Sequence, residues 1–161
     1  MADTIKISTV IASIAAQSIT VVRPDGTSGT LTILDTSALP EAINQADCPL
    51  LTPRPQDFLT SFSMTRDSFG ADAAYKSVNY TLNYLFYYAP VGQGAELFEK
   101  YDEMVTAVAA VLLHFSTNTN LSGSTEFLPG TVNQFSPVAD GAGTLYHGCV
   151  IPFVVMQYME T

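Results

Sequence analysis

The stretch from Val78 to Tyr88, VNYTLNYLFYY, decides the fold. Its aromatic and branched residues favour a β-strand, in which successive side chains point to opposite faces of the sheet. The even-numbered positions face a core, since all six are apolar or aromatic: Val78, Tyr80, Leu82, Tyr84, Phe86 and Tyr88. The odd-numbered positions begin as polar residues but end in Leu85 and Tyr87. These two side chains therefore need a cover of their own, from this chain or from another subunit.

The composition is typical of a single folded domain with a strongly acidic charge balance. The chain has 161 residues, 47% of them hydrophobic and 13% charged, so we expect one domain over 1–161. Fifteen acidic against six basic residues give a formal charge of −9, which argues against a protein that holds nucleic acid through its phosphates. The sequence predicts neither a membrane helix nor a secretory signal, and Cys48 and Cys149 form no disulfide framework. We expect a soluble, cytoplasmic protein.

The remaining segments predict an α+β fold, a mostly antiparallel twisted sheet with two main helices packed on one face. Apolar residues at helical spacing predict helices over about 4–17 and 97–115. Further strands are predicted at 19–22, 29–35, 57–70, 131–138 and 144–160. The Pro-rich segment, residues 37–57, is predicted to be a loop with at most a short helix at 41–45. Phe58, Thr60, Phe62, Met64 and Arg66 are predicted to share one strand face.

The sequence contains few groups that could perform catalysis. His114 falls near the end of the second predicted helix, where a histidine typically complements the helix dipole. His147 and Cys149 share a strand face, but a structural zinc site needs four ligands. None of the GxSxG, Walker, HExxH or CxxC motifs is present. We therefore expect that the protein is not an enzyme and that it binds no cofactor and no metal.

The chain has more apolar surface than the predicted core uses. Each large apolar side chain left in water forfeits about 1.5–3 kcal/mol, so this surface favours self-assembly. The predicted subunit-interface residues are Leu85, Tyr87, Ala107, Ala110 and Leu113. The second face of the apolar C-terminal strand, predicted to be buried on both faces, needs cover as well. The alternative is that the two helices and the Pro-rich segment cover all of it within one chain.

Three stretches together resemble the small head–tail joining proteins of long-tailed bacteriophages. They are RDSFG followed by NYTLNYLFYYAPVGQG, the helical stretch LFEKYDEMVTAVAAVLLHF, and VNQFSPVADGAGTLYHGCVIPFVV. Within that group the sequence is most similar to the tail terminator type, with its N-terminal helix, twisted sheet and second helix. The resemblance covers the chain from about Phe58 onward and the first helix more loosely. The segment from Leu39 to Pro55 departs from it.

The resemblance implies a ring, usually a hexamer, at the head-proximal end of the phage tail tube. Such a ring stops tube polymerisation, contacts the tail tube protein and joins the tail to the capsid connector. It would belong to the virion tail or neck, be assembled in the host cytoplasm and have no contact with membranes. DNA would pass through its channel without sequence-specific binding. Two alternatives stay open. One is another neck or head-completion protein, and the other is a monomeric ligand- or protein-binding module that uses the Pro-rich segment.

Overall fold

The computed structural model describes residues 7–37, 39–66, 75–91, 100–118, 120–122 and 125–160. The fold is mixed α+β with a curled, mostly antiparallel sheet and two helices, which confirms the predicted class. The helices are α1 (Ile7–Ala15) and α2 (Tyr101–Thr117). The strands are β1 (Thr20–Val22), β2 (Ser28–Thr30), β3 (Thr32–Ile33), β4 (Leu50–Pro53), β5 (Leu59–Arg66), β6 (Tyr75–Pro90), β7 (Asn120–Ser122), β8 (Thr125–Pro129), β9 (Phe135–Ala139) and β10 (Leu145–Glu160). No helix of these residues is long and apolar enough to cross a membrane.

The main sheet is built on the antiparallel pair β6 and β10, which face each other from Tyr75 opposite Glu160 to Pro90 opposite Tyr146. Each strand has 16 residues, which is about 53 Å of extended chain. Each therefore has room for two partners along its other edge. β6 pairs with β5 and then β4, while β10 pairs with β9 and then β8. β7 extends β8, β3 joins β4 in parallel, and β1 and β2 form a separate two-stranded sheet.

The main core lies against the even-numbered face of β6. All six predicted side chains of that face, from Val78 to Tyr88, are at most 1% exposed. The same cluster contains Val10 and Ile14 of α1 and several residues of α2. Phe115 packs against Phe127 and Phe153, with ring centroids 5.0 Å away in both cases. Burial of such side chains, about 1.5–3 kcal/mol each, holds the helices on the sheet.

The predicted helices and strands are found, with shifted bounds. Residues 4–6 and 97–99, where the predicted helices begin, lie outside the described residues, as do 67–70, where the predicted strand 57–70 ends. The predicted strand 29–35 is divided at Leu31, whose N–H donates to the Ile19 carbonyl while Thr32 pairs with β4. The predicted strand 131–138 begins only at Phe135. β8 was not predicted, because its five residues follow a stretch with strong turn signals.

The Pro-rich segment is not only a loop, and this part of the prediction is wrong. It contains β4, which pairs with β3 and β6, and a single 3₁₀ turn at Gln45–Asp47 instead of a helix at 41–45. Pro49 precedes β4 and Pro53 ends it. Prolines at strand ends are compatible with pairing, so four of them did not exclude a strand here.

The prediction that alternate residues from Phe58 to Arg66 share one strand face is also wrong, because β5 contains a bulge. Thr60 pairs with Thr81, but Ser63 pairs with Asn79, so two residues of β5 lie opposite the single Tyr80 and one residue is inserted. Ser61 has a φ of 56°, a left-handed conformation that breaks the alternation. Phe62 stacks on Tyr80 with ring centroids 6.1 Å apart. The side chain of Arg66 lies outside the described residues.

Candidate functional site

Leu85 and Tyr87 are covered by the chain itself. They are 7% and 4% exposed and belong to a second small cluster, which also contains Ile43, Cys48, Leu50 and Tyr146. The Tyr87 and Tyr146 rings meet edge to face, with centroids 5.6 Å apart. The expectation that an adjacent subunit covers these two residues is therefore wrong. The cover comes from residues 43–50, part of the Pro-rich segment.

A buried carboxylate anchors this cover. Asp140, which is 8% exposed, accepts a 3.0 Å hydrogen bond from the Ile43 N–H through Oδ2. Its Oδ1 accepts from the backbone N–H groups of Ala142 and Thr144, at 3.0 and 2.9 Å. Ile43 is held a second time, since the Tyr146 hydroxyl donates to its carbonyl at 2.7 Å. The hydrogen bond from Ile43, with those of the turn, lowers the pKa of Asp140 below its ordinary value.

The predicted interface residues of α2 lie on different sides of the helix. Ala107 is 1% exposed and faces the core, and Ala110 is half-buried against it. Leu113 is 68% exposed. An interface on the outer side of α2 would therefore include Leu113 but not Ala107.

Leu113 lies in an exposed apolar stripe. Val105 is 41% exposed, Ala109 is exposed, and the three residues follow one another at intervals of four. Residues four apart lie on the same side of a helix. We call Val105, Ala109 and Leu113 the α2 stripe. Its role in subunit contacts stays a prediction.

A second apolar surface lies on the outer face of the sheet. Leu128 of β8 stands directly opposite Val154 of β10, and they are 52% and 44% exposed. Tyr158, four residues after Val154, is 37% exposed on the same face. We call Leu128, Val154 and Tyr158 the sheet patch. The expectation that the C-terminal strand is buried on both faces is wrong at Val154 and Tyr158. The sequence did show that the outer residues of this strand are apolar.

The two surfaces lie on opposite sides of the domain. α2 contacts β8 and β10 from the core side, where Phe127 and Phe153 are buried. The α2 stripe lies on the side of α2 that faces away from the core. The sheet patch lies on the face of β8 and β10 that faces away from the core. A contact between the stripe of one molecule and the patch of the next would join two different surfaces.

Three of the four histidine and cysteine side chains, Cys48, Cys149 and His147, are buried. Burial raises the pKa of the Cys48 thiol to about 11 and that of Cys149 to about 12, and it lowers the pKa of His147. His114 lies in the last turn of α2, as predicted, with Nε2 at 2.9 Å from the Gln17 side-chain oxygen. Within the described part of the chain, no three His, Cys, Asp or Glu residues are grouped so that they could hold a metal ion.

No protein-family model matches this sequence, and no curated protein matches it significantly. The proposed function therefore depends on the surfaces of the chain, together with the resemblance noted above.

Proposed function

We propose that this protein is a structural subunit of a long-tailed bacteriophage that assembles into a ring, usually a hexamer, at the head-proximal end of the tail tube. As a tail terminator, the ring ends tube polymerisation and joins the tail to the capsid connector in the virion. The arrangement of both helices on one face of a twisted sheet, which the tail terminator resemblance implies, is supported by the core that α1 and α2 share with β6.

The observation that carries the proposal is the pair of apolar surfaces on opposite sides of the domain. A contact between two different surfaces is heterologous, and repeated copies of it close into a ring when the rotation between subunits permits. Two-fold dimers instead use the same surface twice. The α2 stripe and the sheet patch each group apolar side chains that the folded subunit leaves exposed. They favour head-to-tail assembly.

The charge of the chain supports the same function. A formal charge of −9 disfavours tight contacts with phosphate groups. DNA can pass an acidic channel wall without adhering to it. A structure of the ring with a lumen lined by lysine and arginine would contradict this part of the proposal.

The first test is electron microscopy of the purified protein, alone and mixed with tail tubes of its phage. We expect rings, or a cap at one end of each tube. Monomers that leave tubes undecorated would contradict the terminator function and favour a monomeric binding module.

A pair of variants tests the head-to-tail contact directly. Leu113→Glu and Val154→Glu each place a charge in one of the two surfaces, and each should abolish rings, since burying one such side chain is worth about 1.5–3 kcal/mol per contact. Neither should unfold the chain, because both residues are exposed. Thr9→Glu, on the exposed side of α1, is the matched control and should leave rings intact.

Mixing the two variants distinguishes head-to-tail from two-fold association. The stripe of Val154→Glu and the patch of Leu113→Glu are both intact, so an equimolar mixture should form dimers that cannot grow. Sedimentation velocity would show this species in the mixture and monomers in each variant alone. A mixture that stays monomeric would contradict the contact between these two surfaces.

A further inference from the structure

A cleft of about 840 Å³ opens between the β1–β2 turn, the Pro-rich segment and the start of α2. This volume lies within the range of small-molecule sites, roughly 300–1,000 Å³. Two cations line it, Arg23 and Lys100, although the whole chain has only six lysines and arginines. Neither forms an ion pair with a carboxylate of the described residues, whereas Arg54 pairs with Asp57 at 3.1 Å. Arg23 acts on the Asp25 carboxylate only at longer range, where its charge, in addition to the hydrogen bonds of the turn, helps to lower the pKa of Asp25. Two cations at one cleft are unusual on a strongly acidic protein.

The other lining groups add donors and one negative charge. Asp25 is the lining carboxylate, and its Oδ1 already accepts from the Thr27 N–H and hydroxyl. His147 is 3% exposed, and burial lowers the pKa of its imidazole, so it is neutral at pH 7. Asn44 uses its side-chain oxygen to accept from the Ala46 N–H, which leaves its amide NH₂ group as a donor. The lining is therefore positive by one charge and rich in donors.

The Arg23 side chain occupies space that is free because Gly29 has no side chain. Its side chain lies across Gly29 so closely that a Cβ there would overlap Nε. That Nε is buried and has no hydrogen-bond partner among the described residues. A buried donor without a partner costs roughly 1–3 kcal/mol. The chain thus positions a guanidinium at the cleft and leaves its Nε without a partner among the described residues.

We propose that this cleft binds a small ligand that carries a phosphate group. A guanidinium, an ammonium and neutral donors around one volume match the several acceptor oxygens and the double charge of a phosphate. A carboxylate has fewer acceptors and a single charge. The site goes beyond the proposed ring function, because it uses neither the α2 stripe nor the sheet patch.

The test is isothermal titration calorimetry of the full-length protein with inorganic phosphate, at an ionic strength kept constant with sodium chloride. We expect saturable binding of one phosphate per chain. Arg23→Gln and Lys100→Gln should each weaken it about tenfold or more, since a hydrogen bond to a charged group is worth roughly 1.5–3 kcal/mol. Arg54→Gln removes the same charge outside the cleft and should leave the affinity unchanged.

Gly29→Ala separates position from charge. It displaces Arg23 while the net charge stays at −9, and the φ angle of Gly29 is one that alanine adopts. We expect a several-fold weaker affinity with an unchanged far-UV circular dichroism spectrum. This variant also keeps the proposal testable if Arg23→Gln does not fold. Thr30→Ala, on the neighbouring exposed position of β2, is the matched control.

Further titrations define the ligand. Tighter binding of adenosine 5′-monophosphate than of phosphate would assign the rest of the cleft to an organic group, and equal affinities would assign the site to free phosphate. Acetate that binds as tightly as phosphate would overturn the choice of phosphate. Absence of saturable heat with phosphate, or an equal loss in Arg54→Gln, would overturn the site.

Discussion

Asp140 should determine whether the cover over Leu85 and Tyr87 stays closed, and Asp140→Asn tests this. The substitution keeps the size of the side chain and one oxygen for the N–H groups of Ala142 and Thr144. It replaces Oδ2, which accepts from the Ile43 N–H, with an NH₂ group. The new NH₂ group and the Ile43 N–H are then two donors that face each other, and Ile43 is only 9% exposed.

The expected cost follows from the bonds that are lost. One hydrogen bond to a charged acceptor disappears and a buried N–H is left without a partner, which together cost about 2–3 kcal/mol. The Tyr146–Ile43 hydrogen bond should weaken as well, because Ile43 loses its second attachment. The main core does not contain these groups, so the loss should be local to residues 43–50.

Two measurements check this expectation. Urea unfolding at pH 7 gives the change in the free energy of unfolding, and hydrogen exchange should show faster exchange at residues 43–50 than in β6 or β10. Asp25→Asn is the matched control, because Asp25 also accepts hydrogen bonds from its own turn but is exposed. It should cost clearly less than Asp140→Asn.

The pH dependence gives an independent check. The pKa of Asp140 is lowered in the folded chain from its ordinary 3.8, so its carboxylate stabilises the fold above that value. This contribution is lost as the pH falls below about 4 and through the folded pKa. The wild type should therefore lose stability in acid more steeply than Asp140→Asn. Equal slopes, or a cost no larger than that of Asp25→Asn, would refute the anchoring role.

Two further predictions concern the core. Gly148→Ala should lower the free energy of unfolding by about 4 kcal/mol or more, because its Cβ would overlap the Phe86 carbonyl oxygen. Gly143→Ala, in open space at a φ of 87°, should lower it by only about 1 kcal/mol. Similar urea midpoints for the two variants would contradict the close approach of β10 to β6. Ellman's reagent should label Cys48 and Cys149 at pH 8 only after unfolding, and stability should fall above about pH 9, where only the unfolded thiols ionise. Rapid labelling of the native protein would contradict their burial.

The sequence predicted the centre of the fold because one strand carried a strict alternation. In β6 every even-numbered side chain from Val78 to Tyr88 is buried, as the period of two requires. The bulge in β5 was not predictable in the same way. Ser61 adopts a positive φ although serine rarely does, so no residue there signalled that the alternation would break.

The predicted interface residues of α2 do not follow the period of a helix. Ala107 and Leu113 are six residues apart, which at 3.6 residues per turn places them about 120° apart around the helix. They cannot share a face, and the structure buries the first and exposes the second. The positions that do share a side with Leu113 are Val105 and Ala109, at intervals of four.

The cover of Leu85 and Tyr87 changes which surfaces remain for assembly. Once residues 43–50 occupy that side of β6, the odd-numbered end of the strand has no free apolar surface to offer. The exposed apolar side chains on α2 and on the outer face of β8 and β10 are among those that folding leaves in water. Because these two surfaces differ and lie on opposite sides of the domain, a contact between them repeats in one direction. Such a contact cannot stop at two subunits, so it must either close into a ring or continue as a filament.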